Sequence, residues 1–561
     1  LSQGKGPLQA TGTLDSQKVH LMNELGRPYP WKLVVTYDEL RAKEIYDDFR
    51  NFTRQVWLYP AKDLLFYAAD IHGNMMARQR IKVQKALIKE KGGVVITTPD
   101  GLMDHLLPLG QISAGVLSVE PGQQVDLEGL KEKLVALGYE RMAQVDGMGQ
   151  FSIRGGIIDI FPLTEEFPVR IELWDDEVDS VRCFDLESQR SVEQLEKVRI
   201  YPAKELVLDP GQIEGGIRRL RQEAEESREV FRKNGQIEEG HRIFTIIREF
   251  TENLEENGRA GNLDGYIRYF SNVTVSFAQY FSERDTLIFL DEPLRIQEKG
   301  EAVETEFRES MGQRLEKGYL LGGQTELLYP MKEVLARLQT GKTVYLTGLE
   351  QRLAGLTVNG QYAFTVKNVN SYQNGFELLI KDLTRWKKDG YRVVLLTGSR
   401  TRASRLASDL REYELRAYCP DGLVSIAEDK TGEEKGGQNA GDKADEFKAA
   451  ICGVKPGEIL VTYGNLHKGF EYPMLKFVVI TEGDIFGGEK KKKGRRKSSY
   501  EGKKIADFSE LAVGDYVVHE DHGLGIYKGI EKIERDRVTK DYIKVEYGDG
   551  GKLYIPATRL D

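Results

Sequence analysis

The residues with the most chemical promise are those that could hold a triphosphate. A phosphate-binding loop needs a strand, a glycine-rich turn and Lys-Ser/Thr opening a helix. Backbone N–H groups and the lysine then hold phosphates while the hydroxyl holds magnesium. Gly341-Lys342-Thr343 has the triplet, but Ala336 stands at the first glycine position and the triplet precedes an apolar run instead of following one. It reads as a turn between helix and strand. Ala10-Thr11-Gly12-Thr13-Leu14-Asp15-Ser16 is better placed, yet Leu14-Asp15 occupies the Gly-Lys position. A carboxylate there repels triphosphate and the essential cation is gone. Lys18 is one turn off and does not stand in for it. The degenerate loop is thus Gly12, Thr13, Leu14, Asp15 and Ser16, and no cofactor is expected in it.

Other candidate groups weaken in the same way. Leu287-Ile288-Phe289-Leu290-Asp291-Glu292-Pro293 looks like the magnesium-binding strand end of such an enzyme, but without the loop Asp291 and Glu292 read as vestiges or polar strand-end residues. Ile459-Leu460-Val461-Thr462 with Lys468-Gly469-Phe470-Glu471-Tyr472-Pro473 resembles a second helicase lobe, Glu471 standing at the Asp position of Gly-x-Asp-x-Pro. No arginine-finger segment follows. His519 and His522 are spaced HxxH on a strand-then-turn segment with no third ligand, so no metal is expected. Lys490, Lys491, Lys492, Lys493, Arg495, Arg496 and Lys497 form the one dense cationic run, which lacks aromatics for stacking bases. It is a candidate for salt-sensitive, non-specific DNA contact, or simply a solvated linker.

The elements that position these groups belong to several domains. A chain of 561 residues implies about four. Net charge is -9 and pI about 5.6, so the surface as a whole repels nucleic acid. Three scattered cysteines, Cys183, Cys419 and Cys452, favour reduced thiols in a cytoplasmic protein. No apolar run is long enough to span a bilayer. The chain opens at Leu1 and stops at Asp561 after a strand-like segment, which reads as a piece of something longer. Strand-length runs at 32–36 and 94–97 alternate with helical patterns and predict a parallel α/β sheet. From about Gly115 a helix at 127–137 and strand-like segments at 151–161, 169–174 and 180–184 predict an α+β insert, ending near Tyr201-Pro202-Ala203-Lys204. The same tetrapeptide at Tyr59-Pro60-Ala61-Lys62 marks an equivalent strand exit, or is chance. Residues 211–257 are charged and helical, α/β alternation resumes at 286–290, and a second α/β unit runs from about 343 to 486. Within it, 428–445 reads as a mobile loop. Short strands across 514–560, separated by glycine turns, predict a small antiparallel barrel.

Two stretches carry a resemblance. Gly138-Tyr139, Arg154-Gly155-Gly156-Ile157-Ile158-Asp159-Ile160-Phe161-Pro162 and Arg170-Ile171-Glu172-Leu173-Trp174-Asp175-Asp176-Glu177-Val178-Asp179-Ser180 are similar to the UvrB-like module of bacterial transcription-repair coupling factors. UvrB's damage-probing hairpin has no room between Val56-Trp57-Leu58 and the helix around 75–86. Gly514-Asp515-Tyr516-Val517-Val518-His519-Glu520-Asp521-His522-Gly523, with Tyr542-Ile543-Lys544-Val545-Glu546-Tyr547, resembles the CarD-like RNA-polymerase-interacting domain of the same family. The resemblance implies a multidomain α/β fold. Its parts are a degenerate helicase-like lobe (1–114 and 205–325), a UvrA-binding insert (115–204), a second degenerate lobe (326–487), a basic linker (488–507) and a C-terminal Tudor/CarD-like barrel (508–561). It also implies a non-catalytic docking role, with the family's ATP-driven translocase lying outside this chain.

On that reading UvrA binds an electrostatic face of Arg141, Ser152 and Arg154, strand alternation setting Ser152 and Arg154 opposite Phe151 and Ile153. The RNA polymerase β subunit binds a strand edge at Val518, His519, Glu520 and Asp521. Two alternatives stay open: an ATP-dependent DNA helicase or UvrB-type damage-verification enzyme, and a CarD-type regulator with an unrelated first half.

Overall fold

Strands covered on both faces read as apolar runs, and Gly93–Thr97 and Thr286–Asp291 of the first lobe do so. The computed structural model describes residues 4–62, 73–257, 263–281, 284–373, 375–419, 453–487, 514–519, 523–535, 538–546 and 552–556. The chain opens with β1 (Leu8–Thr11), helix α1 (Asp15–Gly26), β2 (Trp31–Val35), helix α2 (Glu39–Phe49), β3 (Val56–Tyr59), helix α3 (Gly73–Lys89) and β4 (Gly93–Thr97). Asp38 caps α2 by accepting from the Arg41 N–H. The insert follows as β5 (Leu117–Val119), β6 (Glu140–Arg141), β7 (Gln150–Arg154), β8 (Ile157–Ile160), β9 (Val169–Trp174), β10 (Glu177–Phe184), β11 (Ser191–Gln194) and β12 (Val198–Ile200). Two charged helices, Pro210–Lys233 and Ile237–Asn257, lead back to β13 (Thr286–Asp291), β14 (Thr343–Thr347) and β15 (Gly360–Ala363).

Seven of these strands form one sheet in the order β15-β1-β14-β13-β2-β4-β3, parallel throughout. Alternate residues feed cores on its two faces. Leu33, Val35, Val95, Ile288 and Leu290 lie on one face, and Val34, Val94, Ile96, Leu287 and Phe289 on the other.

The boundary expected at 326 is corrected here: β14 pairs with β1 and β13, and β15 with β1, so the first lobe extends past 360. Alternation of strand and helix reveals strands but not which neighbour each will take. The second sheet begins with β16 (Lys367–Asn368) and continues with β17 (Arg392–Thr397), β18 (Ala417–Tyr418), β19 (Ile459–Tyr463), β20 (Phe470–Tyr472) and β21 (Phe477–Thr481). Its order is β16-β20-β21-β17-β19-β18.

The insert leaves and re-enters the lobe through the antiparallel pair β5–β12, which closes its base. Its six-stranded sheet runs β11-β10-β9-β8-β7-β6. The segment expected as one strand over 151–161 is a hairpin. Gly155 turns it at φ +62°, and a Cβ on Gly156 would sit 2.8 Å from the Leu173 carbonyl oxygen. The helix Leu127–Ala136 buries Leu130 and Leu134 against one face of this sheet. Both Tyr-Pro-Ala-Lys segments do follow strands, Tyr59 ending β3 and Tyr201 following β12.

The chain divides into two compact units, Leu1–Gly488 and Glu489–Asp561. In the second, β22 (Tyr516–His519), β23 (Gly523–Arg535), β24 (Val538–Glu546) and β25 (Lys552–Pro556) form an antiparallel sheet in chain order. The sequence predicts a small antiparallel barrel here. Among the described residues the sheet is open, since no pairing joins β22 to β25. The loop 428–445, the basic run 490–497 and residues 63–72, in the stretch too short for UvrB's hairpin, lie outside the described residues.

Candidate functional site

The degenerate loop occupies the place a phosphate loop would, between β1 and α1. Gly12 has φ +73°, and a Cβ there would meet the Phe364 carbonyl oxygen at 2.2 Å. Thr13 donates to the Thr347 carbonyl from its N–H (3.2 Å) and from Oγ1 (3.1 Å), so the loop is stitched to the end of β14. The Leu14 N–H is capped by Gln17 Oε1 at 3.0 Å.

Lys18, dismissed on spacing as a phosphate ligand, proves central. Its Nζ lies 2.6 Å from Asp291 Oδ1 and 2.6 Å from Glu292 Oε1. Asp291 Oδ2 accepts from Thr36 Oγ1 (3.0 Å) and Arg41 Nε (3.3 Å), while Arg41 also donates to the Asp15 carbonyl and to Glu44. Burial would lower the pKa of Lys18, but the charges of Asp291 and Glu292 overcome it and raise it. Burial would likewise raise that of Asp291, and Lys18 and Arg41 hold it down. The two carboxylates that could have bound metal are therefore neutralised by two cations of the chain itself.

The second lobe lies directly on this site. Ser16 Oγ accepts from the Lys468 N–H at 3.0 Å, and Tyr472 OH meets Gln17 Nε2 at 2.9 Å and His20 Nδ1 at 3.1 Å. Asp48 Oδ1 contacts the His467 N–H and Nδ1, both at 2.9 Å. Asn51 and Asn465 bond reciprocally, at 2.9 and 3.0 Å. Glu471 does not face the cleft, because its carboxylate accepts from Tyr391 OH within its own lobe. Lys342 of the other loop candidate pairs with Asp285 at 2.5 Å, in a turn ahead of β14.

In the insert, Ser152, Asp159, Arg170 and Arg182 stand side by side across β7, β8, β9 and β10. Arg170 clamps Asp159 through two bonds of 2.6 and 2.9 Å, and Arg154 reaches the same carboxylate at 2.8 Å. Arg154 shares the Ser152 face, as alternation predicted, and stays 47% exposed. Ser152 itself is buried beneath this network, which corrects its expected exposure. Arg141 is exposed but sits in register with Phe151, whose ring is in the core, so it belongs to the opposite face. Two residues that sequence reasoning passed over join Arg154: Arg170, and Trp174, which alternates with Arg170 along β9 and is 81% exposed. Arg170 and Trp174 both lie within the quoted resemblance, two residues either side of Glu172.

In the second unit Val518 and His519 close β22, which pairs only with β23 among the described residues, so its other edge is unpaired there. Glu520 and Asp521 lie outside the described residues. Tyr516, which opens the strand, is 73% exposed. Among the described residues no group of acidic, histidine and cysteine side chains could hold a metal ion, and no helix is long and apolar enough to cross a membrane.

Two segments of the chain match known domain families. Residues 117–206 match the UvrB interaction domain, and 511–561 match the CarD-like/TRCF RID domain. The transcription-repair-coupling factor of Bacillus subtilis (strain 168) is 30% identical over 543 residues, covering 96% of this chain and 43% of that protein. That of Staphylococcus epidermidis RP62A is 28% identical over 566 residues, covering 100% of this chain and 45% of its own length. That of Staphylococcus aureus USA300 is 27% identical over 566 residues, with the same coverage. With both domain matches on one chain and likeness along nearly all of it, the chain is similar throughout to transcription-repair-coupling factors, and it spans less than half the length of these curated relatives.

Proposed function

We propose that this chain is the non-catalytic docking part of a transcription-repair-coupling factor in the cytoplasm. It binds stalled RNA polymerase at its β subunit through the edge of β22 and recruits UvrA through the polar face of the insert to start nucleotide excision repair. The chain itself hydrolyses no ATP, and the DNA translocase of the whole protein lies outside it. One observation carries the reading: within the segment that matches the UvrB interaction domain, Arg154 and Trp174 stand open on the face organised by Asp159. An exposed tryptophan and a directed guanidinium on one sheet face are the residue types enriched in interface hot spots.

The test is UvrA pull-down. Arg154→Glu and Trp174→Ala should each abolish or strongly weaken capture. Trp174→Ala touches none of the Asp159 bonds, so the insert's melting temperature should not move. Unchanged capture in both variants sinks the reading. Absence of nucleotide binding in calorimetry with Mg·ATP is the companion expectation.

A further inference from the structure

A degenerate nucleotide loop would by itself leave the two lobes free to part. Here the two carboxylates and the helix-start hydroxyl that such a site offers to a ligand are matched to groups of the chain. Asp291 and Glu292, at the end of β13, share the Lys18 ammonium at 2.6 Å each. Thr36 and Arg41 take the second oxygen of Asp291, so both oxygens of Asp291 are held by groups of the chain. At the start of α1, Ser16 is occupied by the backbone of Lys468 from the other lobe. From there residues 465–472 run across α1 and α2, bonded in turn to Asn51, Asp48, Ser16, Gln17 and His20. These are directed polar contacts, each fitted to its partner, and they reach the two helices whose N-terminal and C-terminal ends border the cleft.

We propose that the cleft between the lobes is a self-filled nucleotide site. The Lys18 ammonium takes the place of a metal ion, residues 465–472 of the second lobe lie across the helix start where phosphates would bind, and the lobes stay closed without nucleotide. The proposal rests on the non-catalytic reading and goes further, because it assigns the second lobe a role: it is the plug.

Hydrogen exchange of the intact chain tests it, read at residues 15–22 and 465–472. In the wild type, Mg·ATP changes neither segment. In Asn51→Ala/His467→Ala, which removes the lobe–lobe bonds of these two side chains together with the local bond from Asn51 to the Asp48 carbonyl, both segments exchange about tenfold faster while β4 keeps its protection. Lys18→Ala melts lower than the wild type and recovers on adding Mn²⁺, to which the wild type does not respond. Should Lys18→Ala not fold, Lys18→Gln carries the same measurement. Unchanged exchange at 15–22 in the Asn51/His467 variant overturns the plug, and a folded Lys18 variant indifferent to Mn²⁺ overturns the exchange of lysine for metal. Binding of Mg·ATP by the wild type is a different failure, since it overturns the non-catalytic reading itself.

Discussion

Arg80 on α3 is wholly buried and fully committed. Its Nε lies 3.0 Å from both oxygens of Glu205, its Nη1 donates to the Pro60 carbonyl at 2.8 Å, and its plane lies 4.2 Å over the Tyr59 ring. Lys62 adds a second cation at 2.5 Å from Glu205. Burial would raise the Glu205 pKa, but Arg80 and Lys62 pull it down to about 2. The residue that follows the insert is thus clamped as a carboxylate by side chains of the lobe. Removing one partner of a buried pair strands the other charge; Lys62 still serves Glu205, but Arg80→Met leaves buried Asp104 without the cation 2.9 Å away, so it should cost about 3–5 kcal/mol. Chemical denaturation of the intact chain measures it, and a loss under about 1 kcal/mol would show the pair to be incidental. Nothing in the sequence announces this pair. Lys62 could be noticed as the last residue of the repeated tetrapeptide, and Glu205 as its neighbour at the second copy, but 143 positions separate them.

At the scale of elements, strand periodicity was the most legible signal and its register the least. Runs such as Trp31–Val35 and Thr286–Asp291 declare themselves by composition, because a parallel strand is covered on both sides. The hairpin β7–β8 also reads correctly by face, yet exposure is set by what the next strand brings. Arg170 arrives from β9 and closes over Asp159, and Ser152 goes under with it. The proposed polymerase edge offers an element-scale prediction. Successive N–H groups of an edge strand point alternately towards the partner strand and away from it, and proline removes one. Of Val517→Pro and Val518→Pro, one should lose polymerase capture with the sheet still folded, and the other should damage the β22–β23 pairing. Two folded variants that both capture polymerase normally would count against β22 as the docking strand.

Across the whole first unit, the contact between lobes has a titratable member. A hydrogen bond to Asp48 raises the His467 pKa, burial opposing it and the charges of Asp48, Glu44 and Asp47 adding to it. A folded-state pKa above the ordinary 6.5 means stability that is complete below pH 6.5 and fades as pH rises through the raised value. The melting temperature should therefore carry a component that declines above pH 6.5, and His467→Gln should lack it. An identical pH profile in the two proteins would remove His467 from the account of closure.

By itself the sequence determined that Leu14-Asp15 stands where a phosphate loop has Gly-Lys, and the kinds of element present: apolar runs for parallel strands, alternating ones for the insert. These are local properties, readable within one or two turns of chain. Only the tertiary structure decided that β14 joins the first sheet, that Ser152 is covered, and that Lys18 meets Asp291 across 273 positions. Strand order and ion pairing depend on which distant segments become neighbours. Periodicity holds no record of that choice, because it is made by packing.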